Sequence, residues 1–218
     1  MRPIHLEQVL DFVREVDLRL GACGPGGTRD GLERNAVSLL SSLDQARRDE
    51  LAAAMSEVCG LLRASAIKVA VEPPESADAQ WCMQEYFQEL ARRFDAGFDP
   101  SASNPADAAS LRAPHGAFVI ARLDGKPVGC GAVKQIKAGM GEVKRMWVAD
   151  GARGLGVGRR IIEVLEAEAR GFGISLLRLE TNRNLTEALA LYRSSGYREV
   201  PAFNDEPYAH HWFEKDLG

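Results

Sequence analysis

The sequence has few of the features that mark disulfide-bonded, metal-binding or membrane-spanning proteins. Its four cysteines lie far apart, without a Cys-x-x-Cys pair, so we expect reduced thiols and a cytoplasmic protein. Its four histidines show no His-Glu-x-x-His spacing, so no metal is expected. No apolar run approaches the roughly 20 residues of a membrane-spanning helix, and no apolar signal-peptide core follows the charged N-terminus.

The chain also lacks a strong charge of either sign. Its formal net charge is -4 over 218 residues and its isoelectric point is about 5.7, so no partner is expected among nucleic acids or anionic membranes. Hydrophobic residues make up 45% of the chain. This is enough for one well-buried core with a small appendage, and too little for two large domains.

Residues 1–65 are predicted to form a small all-helical segment. Apolar residues recur at helical spacing from Leu6 to Leu20 and again over residues 32–40. Ser42 and Gln45 match a capping box in front of a third helix, whose apolar stripe is Leu51, Met55, Val58 and Leu62. Residues 1–64 contain eight Lys or Arg and ten Asp or Glu, a balance that disfavours a DNA-binding regulator.

From Ile67 onward, strand-like and helix-like patterns alternate. Strands are predicted over residues 67–71, 117–123, 128–134, 142–148, 175–180, 197–200 and 211–214, and helices over residues 78–94, 156–170 and 185–194. This order predicts a mixed sheet with helices on its faces, which occupies residues 66–218 as a second domain.

A glycine-rich turn joins the strand over residues 142–148 to the helix that follows. It reads Arg153-Gly154-Leu155-Gly156-Val157-Gly158. Unpaired N–H groups at a helix N-terminus attract anions, glycines let the backbone approach a diphosphate, and the arginine adds a cation. The turn is not a dinucleotide-binding Gly-x-Gly-x-x-Gly motif, because Arg159 stands where the third glycine is required, and it is not a Walker loop. A turn without any ligand would also account for the glycines alone.

The turn resembles the Arg-x-x-Gly-x-Gly signature of the GNAT superfamily of acyl-CoA N-acyltransferases. The segment EVKRMWV at residues 142–148 looks like the family's fourth strand, and Leu179-Glu180-Thr181 looks like the end of its fifth. The family's closing pattern is similar to Asn184, Ala188, Leu191-Tyr192 and Gly196-Tyr197. The resemblance covers about residues 67–217 and implies a mixed, mostly antiparallel central sheet with helices on both faces.

The resemblance implies an acetyl-CoA site on the fourth strand and the glycine-rich turn. In this family the pantetheine arm pairs with exposed backbone of the fourth strand near a bulge, and one N–H points at the thioester oxygen. The implied cofactor-binding residues are Met146, Trp147, Val148, Arg153, Gly154, Leu155, Gly156, Val157, Gly158, Arg159 and Asn184. The side chains of Met146 and Trp147 would serve equally well as core.

Two positions match the family's catalytic groups. Glu142 stands where many family members carry the glutamate that takes a proton from the amine, directly or through water, and Glu180 is the second candidate. Tyr192 stands where the family places the general acid that protonates the departing thiolate. The alternatives are a solvated strand residue at Glu142 and a core aromatic at Tyr192.

The family binds its acceptor with the first helix and loop and with the last hairpin. The corresponding residues are Tyr86, Phe98 and Tyr208, with Glu180 beside them. Aromatics with acidic neighbours suit a cationic amine, although an exposed acidic loop has the same composition. The resemblance therefore predicts an acetyl-CoA-dependent N-acetyltransferase that acts on a primary amine of a small molecule or peptide by direct transfer in a ternary complex. The alternative is a non-catalytic acyl-CoA sensor or regulatory subunit.

The segment Ser41–Ser65 is similar to the last long helix of MarR-type winged-helix regulators, which serves dimerisation. The sequence leaves no room for the helix-turn-helix and wing of such a regulator. We interpret residues 1–65 as a helical remnant kept for packing or dimerisation, which allows a homodimer.

Overall fold

The computed structural model describes residue 41 and residues 43–95, 97–103 and 107–218. The chain divides into two units, Met1–Cys59 and Gly60–Gly218. The helices predicted over residues 6–20 and 32–40, and Ser42 of the predicted capping box, lie outside the described residues.

The predicted third helix is present as α1 (Gln45–Ser65). Asp44 caps its first turn, because the backbone N–H of Arg47 donates to the Asp44 carboxylate at 2.8 Å. The predicted apolar stripe is exposed, from 36% of Val58 to 64% of Leu62. Within the described ranges, no helix is long and apolar enough to cross a membrane.

The second unit is built on a seven-stranded sheet. Its elements are β1 (Lys68–Glu72), α2 (Ala77–Arg93), β2 (Gly116–Leu123), β3 (Lys126–Lys137), β4 (Met140–Val148), α3 (Val157–Gly171), β5 (Leu176–Thr181), α4 (Thr186–Ser194), β6 (Arg198–Val200) and β7 (His211–Asp216). The strand order is β1-β2-β3-β4-β5-β7-β6, and every neighbouring pair is antiparallel except β4 and β5. The predicted mixed, mostly antiparallel sheet is confirmed.

Helices cover both faces of the sheet, and as a result β2 is buried on both sides. Ala117 and Val119 pack in the core cluster that contains Ile161 and Leu165 of α3. Phe118, between them in sequence, belongs to a separate core cluster with residues of α2. Successive side chains of a strand point to opposite faces, so α3 and α2 lie on opposite faces.

The middle of the sheet opens between β4 and β5. The two strands pair only from Met140 to Glu142 on β4 and from Leu176 to Arg178 on β5. Farther along, β4 contains a bulge, because Arg145 and Met146 together face the single residue Gly131 of β3. Arg145 has a φ of 59°, a left-handed conformation that side chains other than glycine rarely adopt. The bulge therefore marks a site where the backbone of β4 leaves regular pairing.

Candidate active site

A cavity of about 400 Å³ lies beside the open edge of β4. This large cavity is bounded by α2, β4, the glycine-rich turn and α4. Its lining residues are Tyr86, Glu89, Leu90, Arg93, Met146, Trp147, Val148, Ala152, Arg153, Gly154, Gly156, Val157, Gly158, Arg159, Leu185, Glu187, Ala188, Leu191 and Tyr192. Its volume falls within the range of small-molecule and cofactor sites.

One end of the large cavity is the N-terminus of α3. The first hydrogen bond of this helix runs from the Arg160 N–H to the Gly156 carbonyl at 3.1 Å. The N–H groups of Gly156, Val157, Gly158 and Arg159 come before it, so the helix itself offers them no acceptor. Because these residues line the cavity, they form a site for an anion, which the helix dipole also favours.

Two glycines of the turn have a backbone conformation that favours glycine, and a third lies against α4. Gly154 and Gly156 have φ angles of 80° and 76°, and a Cβ on either would meet nothing within 4 Å. Gly158 differs, because a Cβ there would lie 2.9 Å from Cδ2 of Leu191 on α4. A Cβ at this position would therefore require the Leu191 side chain to shift.

Ion pairs cross the same end of the large cavity. The Arg153 guanidinium lies 2.6 Å from Glu89, 2.7 Å from Asp150 and 3.7 Å from Glu187. Arg93 lies 3.1 Å from Glu89 and 2.7 Å from Glu187. The hydrogen bond from Arg93 lowers the pKa of Glu187 to about 2. Both carboxylates that line the cavity are thus paired with arginine.

The backbone of β4 forms a second wall. Met146, Trp147 and Val148 line the large cavity, and they follow the point where pairing with β5 ends. The Trp147 side chain is buried and meets Trp81 edge to face at 5.7 Å, so its ring contributes to the core as well. An unpaired strand edge presents N–H and C=O groups to a ligand in the cavity.

A smaller cavity of about 80 Å³ adjoins the large one. The residues that line only this small cavity include Phe94, Phe98, Ser103, Val143, Lys144, Arg145, Glu180, Thr181, Asn182, Glu206, Tyr208 and Ala209. Both cavities are lined by Tyr86, Leu90, Met146, Leu185, Ala188 and Tyr192. These six shared residues define the junction, where ligands in the two cavities would meet.

Four charged side chains form a connected group at the small cavity. The ammonium of Lys144 contacts the carboxylate of Glu180 and lies 3.2 Å from Glu142. Lys134 lies 3.3 Å from the other oxygen of Glu142. Glu180 lines the cavity, whereas Glu142 lines neither cavity and is 5% exposed. Glu180 is therefore the carboxylate of this group that can reach a ligand.

The two carboxyl groups differ in pKa because their surroundings differ. Burial raises the pKa of Glu180, and the nearby Glu142 adds to this against the opposing charge of Lys144, so the pKa is about 7. Burial also acts to raise the pKa of Glu142, but Lys144 and Lys134 outweigh it and the pKa is lowered. Burial acts to lower the pKa of Lys144, yet Glu180 and Glu142 raise it overall. Near pH 7, Glu180 exchanges a proton while Glu142 and Lys144 stay ionised.

Tyr192 lies at the junction of the two cavities. Its ring is buried in the main core and contacts Tyr197 and Phe213 at centroid distances of 6.0 and 5.9 Å. Burial, with smaller effects from Tyr86 and Glu180, raises the pKa of its hydroxyl. The hydroxyl is therefore protonated at neutral pH, as a proton donor must be.

Aromatic rings from α2 and two loops line the small cavity. Phe98 stacks on Phe87 at 5.9 Å and meets Phe94 at 5.8 Å. Tyr208 lies 4.9 Å from Phe98, and its hydroxyl accepts a hydrogen bond from the Asp99 N–H at 2.9 Å. These contacts fix the loop after α2 against the loop before β7.

The structure brings most of the predicted site residues to the two cavities, with three exceptions. Glu142 is enclosed by lysines, as described above. Leu155 lies in the glycine-rich turn, where it packs against the core and lines neither cavity. Asn184 donates to the Arg93 carbonyl at 2.8 Å and thereby ties the β5–α4 loop to α2. The roles of these residues stay predictions.

Sequence reasoning missed several charged residues at the cavities, namely Glu89, Arg93, Lys144, Arg145 and Glu187. Lys144 and Arg145 lie within the strand that resembles the family's fourth, but regular alternation gives no sign of a bulge between them and Trp147. Glu89 and Arg93 stand four residues apart on α2, a spacing that predicts only a helical ion pair.

Comparisons with known proteins agree with this geometry. Residues 81–197 match the acetyltransferase (GNAT) family. An IAA acetyltransferase of Azospirillum brasilense is 38% identical over 125 residues, which are 57% of this chain and 80% of the relative. A GNAT-family acetyltransferase structure from Staphylococcus aureus has a TM-score of 0.59 at 18% identity, covering 70% of this chain and 100% of that one. A Salmonella typhimurium structure containing its cofactor acetyl-CoA has a TM-score of 0.50 at 14% identity, covering 70% and 95%.

Proposed function

Because the chain belongs to the acetyltransferase (GNAT) family, we propose that it transfers the acetyl group of acetyl-CoA to the amine of a small acceptor, by direct attack in a ternary complex. The observation that carries this proposal is the junction of the two cavities. There Tyr192 and Met146 border both spaces, and Glu180 lines the smaller one.

We assign the large cavity to acetyl-CoA. The N–H groups of residues 156–159 and the Arg153 and Arg159 guanidinium groups would hold its diphosphate. The edge of β4 at Met146 and Val148 would pair with the amide-rich pantetheine arm and lead the thioester to the junction. When bound there, acetyl-CoA supplies the activated acyl group. The relative from Salmonella typhimurium, which contains acetyl-CoA, supports this choice of ligand.

Glu180 is proposed as the general base. An amine with a pKa near 10.4 is mostly protonated at pH 7, and deprotonating it costs about 4.6 kcal/mol. A carboxylate that lines the acceptor cavity and has a pKa of about 7 is matched to this task at neutral pH. Glu142 would then act through Lys144, keeping that lysine charged and in contact with Glu180.

Tyr192 is proposed as the general acid. Its protonated hydroxyl at the junction would give a proton to the departing sulfur of CoA, while the amine loses its protons to Glu180 and solvent. An N–H group of β4 near Met146 would donate to the oxygen on which negative charge develops, as an oxyanion hole does. Overall, the acetyl group moves from sulfur to nitrogen and CoA leaves as the thiol, while Glu180 releases its proton to solvent and Tyr192 regains one from it.

A panel of amines tests the proposal by the release of free CoA, with acetyl-CoA binding measured separately by calorimetry. We expect micromolar-range binding and turnover of at least one small primary amine. Absence of acetyl-CoA binding would remove the basis of the proposal. Binding without turnover of any amine would favour the alternative, a non-catalytic acyl-CoA sensor.

Our proposal assigns no role in this chemistry to the N-terminal segment, since the described residues that line the two cavities all lie beyond residue 85. The division at residues 65 and 66, a role in dimerisation and a cytoplasmic location stay predictions.

A further inference from the structure

Arg145 is the cation of the small cavity that the proposed chemistry does not use. It lines that cavity and directly precedes Met146, which borders both cavities. The bulge holds its backbone at a φ of 59°. A bulge changes the direction of a side chain relative to its strand. The position of Arg145 is therefore set by the backbone of the sheet.

The guanidinium of Arg145 has no carboxylate partner among the described residues. Arg93, Arg122, Arg153 and Arg178 each form an ion pair. Arg145 instead lies over the rings of Phe87 and Tyr86, at 4.9 and 5.8 Å. Its Nε is buried without a hydrogen-bond partner in the described part of the chain. A buried charged donor that is left unsatisfied is unfavourable, so this group favours an anion in the cavity.

The other charges around the small cavity do not supply that anion. Glu180 is engaged by Lys144, and Glu206 accepts a hydrogen bond from the hydroxyl of Ser103 at 3.1 Å. Because Glu206 would repel an anionic ligand, we expect such a ligand to bind at Arg145 and away from Glu206. The planar donor fork of Arg145 is the matching partner for a carboxylate.

We infer that the acceptor is an amino acid with an apolar side chain, and that Arg145 binds its carboxylate. The inference rests on the proposed function. Arg145 lines the small cavity and Met146 borders both cavities, so one small ligand could place its carboxylate at Arg145 and its amine at the junction. The rings of Phe94, Phe98 and Tyr208 would receive the side chain.

Matched acceptors test the inference. Leucine and isoamylamine, and phenylalanine and phenethylamine, differ only in the carboxylate. With acetyl-CoA as donor, we expect kcat/KM to favour each amino acid by roughly 100-fold or more, because a site built for a polar group rejects an analogue that lacks it. Equal kcat/KM for acid and amine would overturn the inference and leave the proposed function intact.

Substitution of Arg145 locates the preference. Arg145→Met should abolish the preference in kcat/KM for each amino acid over its matched amine. Arg145→Lys should keep part of the preference, since it keeps the charge and loses the fork. If the methionine variant does not fold, the lysine variant decides, and an undiminished preference in it would overturn the inference. Arg193→Met is the control, because Arg193 also lies over a ring, that of Phe213, and lines neither cavity.

Product binding provides a readout that needs no turnover. In the presence of CoA, N-acetylleucine should bind more tightly than N-isoamylacetamide to the unmodified protein, and about equally to Arg145→Met. Acetyl-CoA binding without any preference for the acidic product would overturn the inference alone. Loss of acetyl-CoA binding altogether would overturn the proposed function beneath it.

Discussion

At the scale of single residues, the site depends on which carboxylate reaches the ligand. Glu142 and Glu180 both contact Lys144, but only Glu180 lines a cavity. The sequence did not decide which of the two glutamates is the general base, because spacing along the chain does not reveal that Lys134 and Lys144 enclose Glu142. The pKa difference follows from that enclosure, and it leads to a test on pH.

Glu180→Gln should lower kcat by roughly 10²- to 10⁴-fold at pH 7, because a general base is lost. A base acts as the carboxylate, so the rate of the unmodified enzyme should fall as the pH falls through about 7, the pKa of Glu180. The glutamine variant should lack this acidic limb in a plot of log kcat/KM against pH. Glu142→Gln is the comparison, and it should shift the limb without removing it. An acidic limb that persists unchanged in Glu180→Gln would assign the base elsewhere.

Tyr192→Phe should lower kcat while the KM for acetyl-CoA changes little. The ring and its packing against Phe213 are retained, and only the hydroxyl is removed. General acid catalysis contributes roughly 10²- to 10⁴-fold, about 3–5 kcal/mol of barrier. Tyr197→Phe is the matched control, since Tyr197 packs against Tyr192 and lines neither cavity. Steady-state kinetics and melting temperatures of both variants separate a catalytic role from a packing role.

At the scale of elements, the glycine-rich turn is the feature that sequence reasoning described most fully. Its position between β4 and α3 follows from the glycines, and the predicted strands and helices fall within about three residues of those in the structure. Two features had no sequence signal. A left-handed residue in a strand is normally marked by glycine, and here it is Arg145. The hydrogen bond of Asn184 to the end of α2 depends on tertiary packing alone.

Gly156→Val should weaken acetyl-CoA binding by at least roughly tenfold, because a β-branched residue is strained at a φ of 76° and would cover the free N–H groups. Gly171→Ala, at the last position of the same helix, is the control. A Cβ there meets nothing within 4 Å, so affinity should be unchanged. Calorimetric titration of both variants checks this, and equal affinities would place the diphosphate elsewhere.

At the scale of the whole molecule, the apo protein should gain stability from its ligand. Acetyl-CoA at 100 times its dissociation constant adds about 2.7 kcal/mol, and a domain of this size responds by roughly 2–4 °C per kcal/mol. A rise of about 5 to 10 °C in melting temperature is expected. Dephospho-CoA should give a similar shift, while pantetheine, which lacks the diphosphate, should give much less. No shift with millimolar acetyl-CoA would contradict the assignment of the large cavity.

The short pairing between β4 and β5 also has a consequence for hydrogen exchange. Strand pairing between β4 and β5 extends over Met140–Glu142 and Leu176–Arg178, three positions, whereas β2 and β3 pair along eight positions. Amide protons at this seam, such as the Leu176 N–H that donates to the Gly139 carbonyl at 3.0 Å, should exchange through a partial opening that leaves β2 and β3 protected. A ligand spanning the gap would bridge the halves, so bound acetyl-CoA should slow exchange at the seam more than in β2. The sheet would then behave as two cooperative units that the cosubstrate couples.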